Sequence, residues 1–241
     1  MSHAAPKPVP QAGPHKADGE LTLAGVGLQA DVAGALYWPE QGMLAVADLH
    51  LEKGSSFAER GVLLPPYDTA ATLARLNALI ARYAPRLVIA LGDSFHDGRG
   101  PQRLADTDRA TLNTMQRGRD WVWIAGNHDP EPAENIGGRF LPELRLGALT
   151  FRHEPGGEEH GEIAGHLHPV ARVARRGRAV SRRCFVSDSV RLVMPAFGAY
   201  TGGLNVRDRA FAEVFETLTF TAHMLGLERV YAVAAKHCLP D

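Results

Sequence analysis

Between Glu20 and Phe140, short apolar runs alternate with stretches of helical periodicity. "LTLAGVGLQAD" and "GALYWPEQGMLAVADLHL" read as two strands, with a turn around Pro39 to Gly42. "MLAVA" is apolar without a break, as expected of a strand buried on both faces. "DTAATLARLNALIARYAP" places Leu73, Leu76, Ile80 and Tyr83 on one helical face, with Asp68 or Thr69 as its cap. "RLVIALGDS" is a second buried strand, "LADTDRATLNTMQR" a second helix and "WVWIAGNHD" a third buried strand. Strand, helix, strand, helix, strand predicts a parallel sheet, whose ligands gather beyond the carboxyl ends of its strands. From Phe140 the pattern changes. "LRLGALTFRHE", "EIAGHLHPVARVARRG" and "RAVSRRCFVSDSVRLVMPAF" read as short strands and hairpins, and "ERVYAVAAK" as a closing strand. No internal repeat breaks the chain.

Composition narrows the class. A chain of 241 residues, 45% hydrophobic and 22% charged, suits one globular domain. The first nineteen residues, "MSHAAPKPVPQAGPHKADG", hold Pro6, Pro8, Pro10 and Pro14 and no apolar core. They predict a disordered tail over 1–19 rather than a secretory leader, with a single domain over 20–241. No run of about 18 apolar residues occurs, so no membrane span is expected. Cys184 and Cys238 have no Cys-x-x-Cys partners, which gives no zinc knuckle and points to a reduced, cytoplasmic setting, although the fold could still pair them. The net charge of -1 gives no bulk argument for nucleic-acid binding.

The chemistry lies at the strand ends. After "MLAVA" come Asp48 and His50; after "LVIAL" comes Asp93; after "WVWIA" come Asn127, His128 and Asp129. His153 ends "LTFRH", and His166 and His168 sit one residue apart in "GHLH". In extended backbone that last pair would point the same way, a metal-competent arrangement. Taken singly, each has a bland explanation: Asp48 and Asp93 as strand exits, "GNHD" as a turn, His153 as a surface histidine. Taken together they do not, because turns have no need of histidine and these strands end repeatedly in oxygen and nitrogen donors.

The ordered set "DLH" (48–50), "GD" (92–93), "GNHD" (126–129), His153 and "GHLH" (165–168) resembles the calcineurin-like metallophosphoesterases and spans about half the chain. The resemblance implies an α/β fold, a four-layer αββα sandwich of that type. It also implies two divalent ions, one held by Asp48, His50, Asp93 and His168, the other by Asp93, Asn127, His153 and His166. Mixed imidazole, carboxylate and amide donors suit Mn²⁺, Fe²⁺ or Zn²⁺ better than Ca²⁺. A metal-bridging hydroxide would attack phosphorus, Asn127 and His128 would contact the phosphoryl group, His128 would protonate the leaving oxygen, and Asp129 would hold the His128 ring. The chain departs from the common G-D-x-x-D pattern: "GDSFHD" has His96 where the second aspartate would stand and Asp97 one later.

"DLHLEKGSSFAERG" and "MPAFGAYTGGLNV" resemble the ligase-associated DNA damage response endonucleases of the PdeM type, a bacterial branch of this superfamily, with Glu52 standing where glycine is usual. That resemblance implies a manganese-dependent phosphodiesterase of DNA repair, associated with a DNA ligase, an exonuclease and a helicase. The acid-free stretch "RVARRGRAVSRR" predicts an exposed β-hairpin near His168. Its arginines, Arg175, Arg176 and Arg178 foremost, either track a phosphate backbone or keep a sheet edge soluble. Two other readings stay open: a phosphoesterase of nucleotides, cyclic nucleotides or sugar pyrophosphates, and, ranked last, an interaction scaffold on the same fold. The oligomeric state is not legible.

Overall fold

Ala24 and Gly25, with φ of 47° and 77°, turn the first expected strand back on itself. The computed structural model describes residues 19–131, 135–157, 160–175, 177–216 and 219–241, so the expected tail, Gly19 apart, lies outside the described residues. The first stretch forms a hairpin of β1 (Glu20–Leu23) and β2 (Val26–Ala30). The second forms β3 (Leu36–Trp38) and β4 (Met43–Ala47). The first stretch is thus two strands where one was expected, whereas the second breaks at the turn expected around Pro39 to Gly42, where the Gly42 amide donates to the Pro39 carbonyl at 3.1 Å.

A short helix α1 (Lys53–Glu59) follows, then α2 (Asp68–Tyr83). Neither expected residue caps α2. Asp68 Oδ2 accepts from the Gly54 amide at 3.0 Å, and Thr69 Oγ1 accepts from the Glu52 amide at 2.9 Å, so both side chains tie α2 to α1. Next come β5 (Leu87–Leu91), α3 (Gly100–Arg103), α4 (Asp106–Gln116), β6 (Asp120–Ile124) and β7 (Arg139–Leu141). β1 to β7 form one sheet in chain order, antiparallel up to β4 and parallel beyond it. Ala47, Leu91 and Ile124 lie in register, so β4, β5 and β6 end level with one another.

The second sheet contains β8 (Glu143–Leu146), β9 (Leu149–Arg152), β10 (Glu162–Ala164), β11 (Pro169–Arg175), β12 (Arg178–Ser187), β13 (Arg191–Val193) and β14 (Leu204–Asn205). After the one-turn helix α5 (Arg209–Ala212), β15 (Thr221–Leu225) joins β12, and β16 (Val230–Ala234) joins β15. A 3-10 turn, Ala235–His237, follows β16. β9, β10 and β13 are parallel, which brings the segments after β9 and β10 side by side.

Alternation along the strands builds the layers. Ala45, Ile89 and Val122 from the first sheet pack with Phe151, Ile163, Phe185 and Leu192 from the second. The other faces of β4, β5 and β6 give Leu44, Val88, Trp121 and Trp123 to α2 and α4, which answer with Leu73, Leu76, Leu112 and Met115. On the far side of the second sheet the covering layer is thin. Phe211 of α5, Phe215 and Phe220 close over Ala171, Val186 and Ala222. The molecule is therefore α/β with the expected αββα order. Cys184 and Cys238 are buried in this outer core as free thiols, and burial pushes the Cys184 thiol far up. Among the described residues, no helix is long and apolar enough to cross a membrane.

Candidate metal centre

Level strand ends gather the donors. Asp48 and His50 follow β4, Asp93 follows β5, His153 follows β9, and His166 and His168 lie between β10 and β11. Asp48 Oδ1 stands 3.3 Å from His168 Nε2, which is 3.4 Å from His50 Nε2. Asp93 Oδ2 is 3.8 Å from His50 Nε2, while Asp93 Oδ1 is 3.4 Å from His153 Nε2. His153 Nε2 lies 3.2 Å from His166 Nδ1. Six of the seven expected ligands therefore form one connected set. The seventh, Asn127, lines the same cleft of about 250 Å³, and its amide nitrogen donates to Glu154 Oε1.

The backbone is bent to achieve this. Asp48, His50, Asp93, His166 and His168 all have positive φ, between 42° and 68°. Such conformations cost about 1–3 kcal/mol each and persist only where the surroundings enforce them. His166 and His168 are therefore not an extended pair: the Leu167 amide donates to the Gly165 carbonyl at 2.8 Å, and the bend turns one ring toward His153 and the other toward His50. Close approach also explains two glycines. A Cβ on Gly92, where φ is 68°, would fall 2.3 Å from His153 Nδ1, and one on Gly126 would fall 2.1 Å from the Asp93 amide nitrogen.

This donor set fits divalent metal. Asp48 and Asp93 are buried, and imidazole nitrogens face one another at hydrogen-bond range around them. Asp48, His50 and His168, and likewise Asp48, Asp93 and His153, each offer ligand atoms within 4.8 Å of one another. Burial pushes His50 down to about 3, against the pull of Asp93, so the ring is the neutral form that ligates metal. Burial also opposes ionisation of Asp93 and is the largest single influence, but the hydrogen bond and charge of His153, the bond from the His128 amide and the charge of His50 together outweigh it and hold the carboxyl far below its ordinary range. Burial would lower His153 too, yet Asp93 and Asp48 raise it to about 9, a measure of how strongly the two carboxylates call for positive charge here. His153 Nδ1 donates to the Leu91 carbonyl at 3.1 Å, which leaves Nε2 facing the centre.

His128 stands beside this set, with Nε2 4.0 Å from Asp93 Oδ2 and Nδ1 2.8 Å from the His96 carbonyl oxygen. Asp129 does not hold its ring, which corrects the expectation. Its Oδ2 accepts from the amides of Ser94 at 2.8 Å and Phe95 at 3.1 Å, and its Oδ1 is buried without a hydrogen-bond partner. Asp129 thus pins the turn that carries Asp93, and burial raises its carboxyl to about 7. His96 takes the place behind His128 by its main chain, and its Nδ1 lies 3.4 Å from His50 Nδ1. Asp97 is turned away, accepting from Arg103 Nη2 at 2.8 Å.

Sequence reading did not single out Lys53 as a site residue, yet Lys53 lines the cleft. The signal was its place in the "DLHLEK" stretch, three residues after His50. Glu52, the departure there, has φ of 63°, a conformation glycine adopts freely, and its carboxylate accepts from Thr69 Oγ1 at 2.9 Å and Ser55 Oγ at 2.6 Å. In the arginine hairpin, Arg175 pairs with Arg178 at the exposed tip; Arg176 lies outside the described residues. β11 is extended, so its tip lies about 20 Å from His168 rather than next to it.

The profile of the calcineurin-like phosphoesterases matches residues 43–178, more than half of the chain. No curated protein sequence matches it. Among solved structures, the Pseudomonas putida nuclease MPE is 30% identical, with a TM-score of 0.69, over 90% of this chain and 100% of that one. YfcE, a phosphoesterase from E. coli, is 15% identical with a TM-score of 0.41, over 80% of this chain and 98% of that one. With the donors set at strand ends of a two-sheet frame, and with a profile match that spans every one of them from Asp48 to His168, the chain belongs to the calcineurin-like phosphoesterases and is a metal-dependent phosphoesterase.

Proposed function

We propose that this enzyme is a dinuclear phosphodiesterase that cuts DNA strands, with Mn²⁺ as the favoured ion and Fe²⁺ or Zn²⁺ as alternatives, in a bacterial repair setting. One observation carries the dinuclear reading: the two oxygens of Asp93 face different histidines, Oδ2 toward His50 at 3.8 Å and Oδ1 toward His153 at 3.4 Å. That is the disposition of a carboxylate shared between two ions. Asp48, His50 and His168 would complete one ligand set, and Asn127, His153 and His166 the other. A bound pair supplies Lewis acidity and lowers the pKa of water from about 16 toward 7.

The protein's own groups do the rest. The His96 carbonyl can only accept, so His128 Nδ1 carries a proton and Nε2 is the nitrogen that exchanges one at the cleft. His128 gives that proton to the leaving oxygen. Asn127 commits its amide nitrogen to Glu154, which leaves its oxygen for ligation. Lys53 adds positive charge to the wall where phosphate would lie.

One observation favours a polymer. The solved relative at 30% identity is named a nuclease. The deciding experiment assays the Mn²⁺-loaded protein on a bis-aryl phosphate, an aryl monophosphate, cyclic nucleotides and single-stranded, nicked and flapped DNA. Cleavage of the diester and of DNA is expected; turnover confined to cyclic nucleotides or monoesters would move the enzyme to the small-molecule reading.

A further inference from the structure

On the outer face of the second sheet, the β11–β12 hairpin and the β15–β16 hairpin enclose a groove of about 610 Å³. It shares no lining residue with the metal cleft. The floor is aliphatic, formed by the cross-strand pair Val173 and Val180 with Met224 and Val233. Strand alternation dictates this. Val180, Arg182 and Cys184 share one face of β12, and Cys184 is buried in the outer core, so the two residues before it on that face stand over the groove. The rim is cationic: Arg175, Arg182 and Arg229 are exposed there against a single acid, Glu228. Leu227, 95% exposed, and Tyr231, 42% exposed, stand at the turn of the second hairpin. Among the described residues β16 pairs only with β15, so its outer edge offers main-chain groups to a further strand.

We propose that this groove docks an extended, acidic segment of a partner protein, with alternate aliphatic side chains on the floor and carboxylates on the arginine rim. Adding such a segment beside β16 is β-augmentation, in which main-chain bonds give affinity and pockets for alternate side chains give specificity. Charge complementarity selects the partner, since three arginines face one glutamate. Nucleic acid, the other polyanion, fits less well. Bases need free aromatic faces, and the groove's one aromatic ring already carries the Arg229 guanidinium, 4.8 Å from the Tyr231 centroid. The groove also opens at the far end of β11, about 20 Å from His168, so a strand being cut has no need to pass through it.

The test is selection from a library of displayed random peptides on the metal-loaded full chain, followed by fluorescence anisotropy with the enriched peptide. The expected sequences alternate aliphatic and acidic residues. Arg182→Glu with Arg229→Glu should weaken their binding by about 10-fold or more. Val233→Glu should do the same from the floor, and hydrolysis of a bis-aryl phosphate should stay as in the parent in both variants, which also shows that they fold. No enrichment, enrichment without acidic residues, or binding indifferent to both variants overturns the proposal. A parallel titration uses a single-stranded oligonucleotide without divalent metal. Loss of oligonucleotide affinity in the arginine variant, with no peptide enriched, would assign the groove to nucleic acid and overturn the proposal as well.

Discussion

The main-chain oxygen of His96 lies 2.8 Å from Nδ1 of His128, and it fixes which nitrogen of that ring can serve the cleft. His128 lies outside both donor groups that contain Asp48, sharing a group only with His50 and His96, so His128→Ala should retain metal and lose turnover. Positioned acids contribute about 10²–10⁴-fold. The loss should be largest for an alkoxide leaving group and shrink for nitrophenolate, which needs no proton. Equal losses across leaving groups, measured as kcat at saturating Mn²⁺, would remove His128 from the acid's role.

Asp129 offers the complementary case, because its role is to hold backbone. Asp129→Ala leaves the buried amides of Ser94 and Phe95 without their acceptor, at about 1–3 kcal/mol each. The variant should unfold at lower denaturant concentration than Asp129→Asn, which keeps one acceptor oxygen. Neither should change how the rate depends on the leaving group. A leaving-group dependence altered as in His128→Ala would restore Asp129 to the ring.

Gly92 tests the packing behind the ligands. In Gly92→Ala the Cβ must sit 2.3 Å from the His153 ring in a left-handed conformation that alone costs about 1–2 kcal/mol. We expect a lower Tm and metal affinity weaker by about 10–100-fold, the usual effect of misplacing a ligand's support. Parent-like affinity by calorimetry would mean that His153 does not need its present position.

Asp97 predicts an acid limb. Burial would raise its carboxyl, but the bonds from Arg103 and the Arg99 amide hold it down at about 2. A carboxyl depressed on folding stabilises the native state above its unfolded value of about 4 and loses that contribution as pH falls toward 2. The parent should therefore lose stability over that window more steeply than Asp97→Asn, in chemical denaturation at matched ionic strength. Parallel curves would contradict the ion pair with Arg103.

The parallel half of the first sheet was legible because β4, β5 and β6 are apolar on both faces, and the donors were legible because each follows such a strand. What was not legible is local and geometric. The turn at Ala24 and Gly25 is marked only by glycine, which strands also contain, so β1 and β2 read as one strand. Asp68 and Thr69 have the chemistry of caps, but α1 competes for their oxygens. The GHLH pair suggested extended backbone, whereas positive φ at both histidines sends the rings apart. The support of His128 was hidden most completely, since it comes from a carbonyl that every residue has.

Asp93 faces His50 with one oxygen and His153 with the other, so the most direct test of the proposed shared carboxylate is metal stoichiometry in the parent and in Asp93→Asn. Elemental analysis of protein loaded with Mn²⁺ and freed of excess should find two equivalents per chain in the parent. In the variant both occupancy and hydrolysis of a bis-aryl phosphate should be lost together. One equivalent in the active parent, or two full equivalents retained by Asp93→Asn, would contradict it.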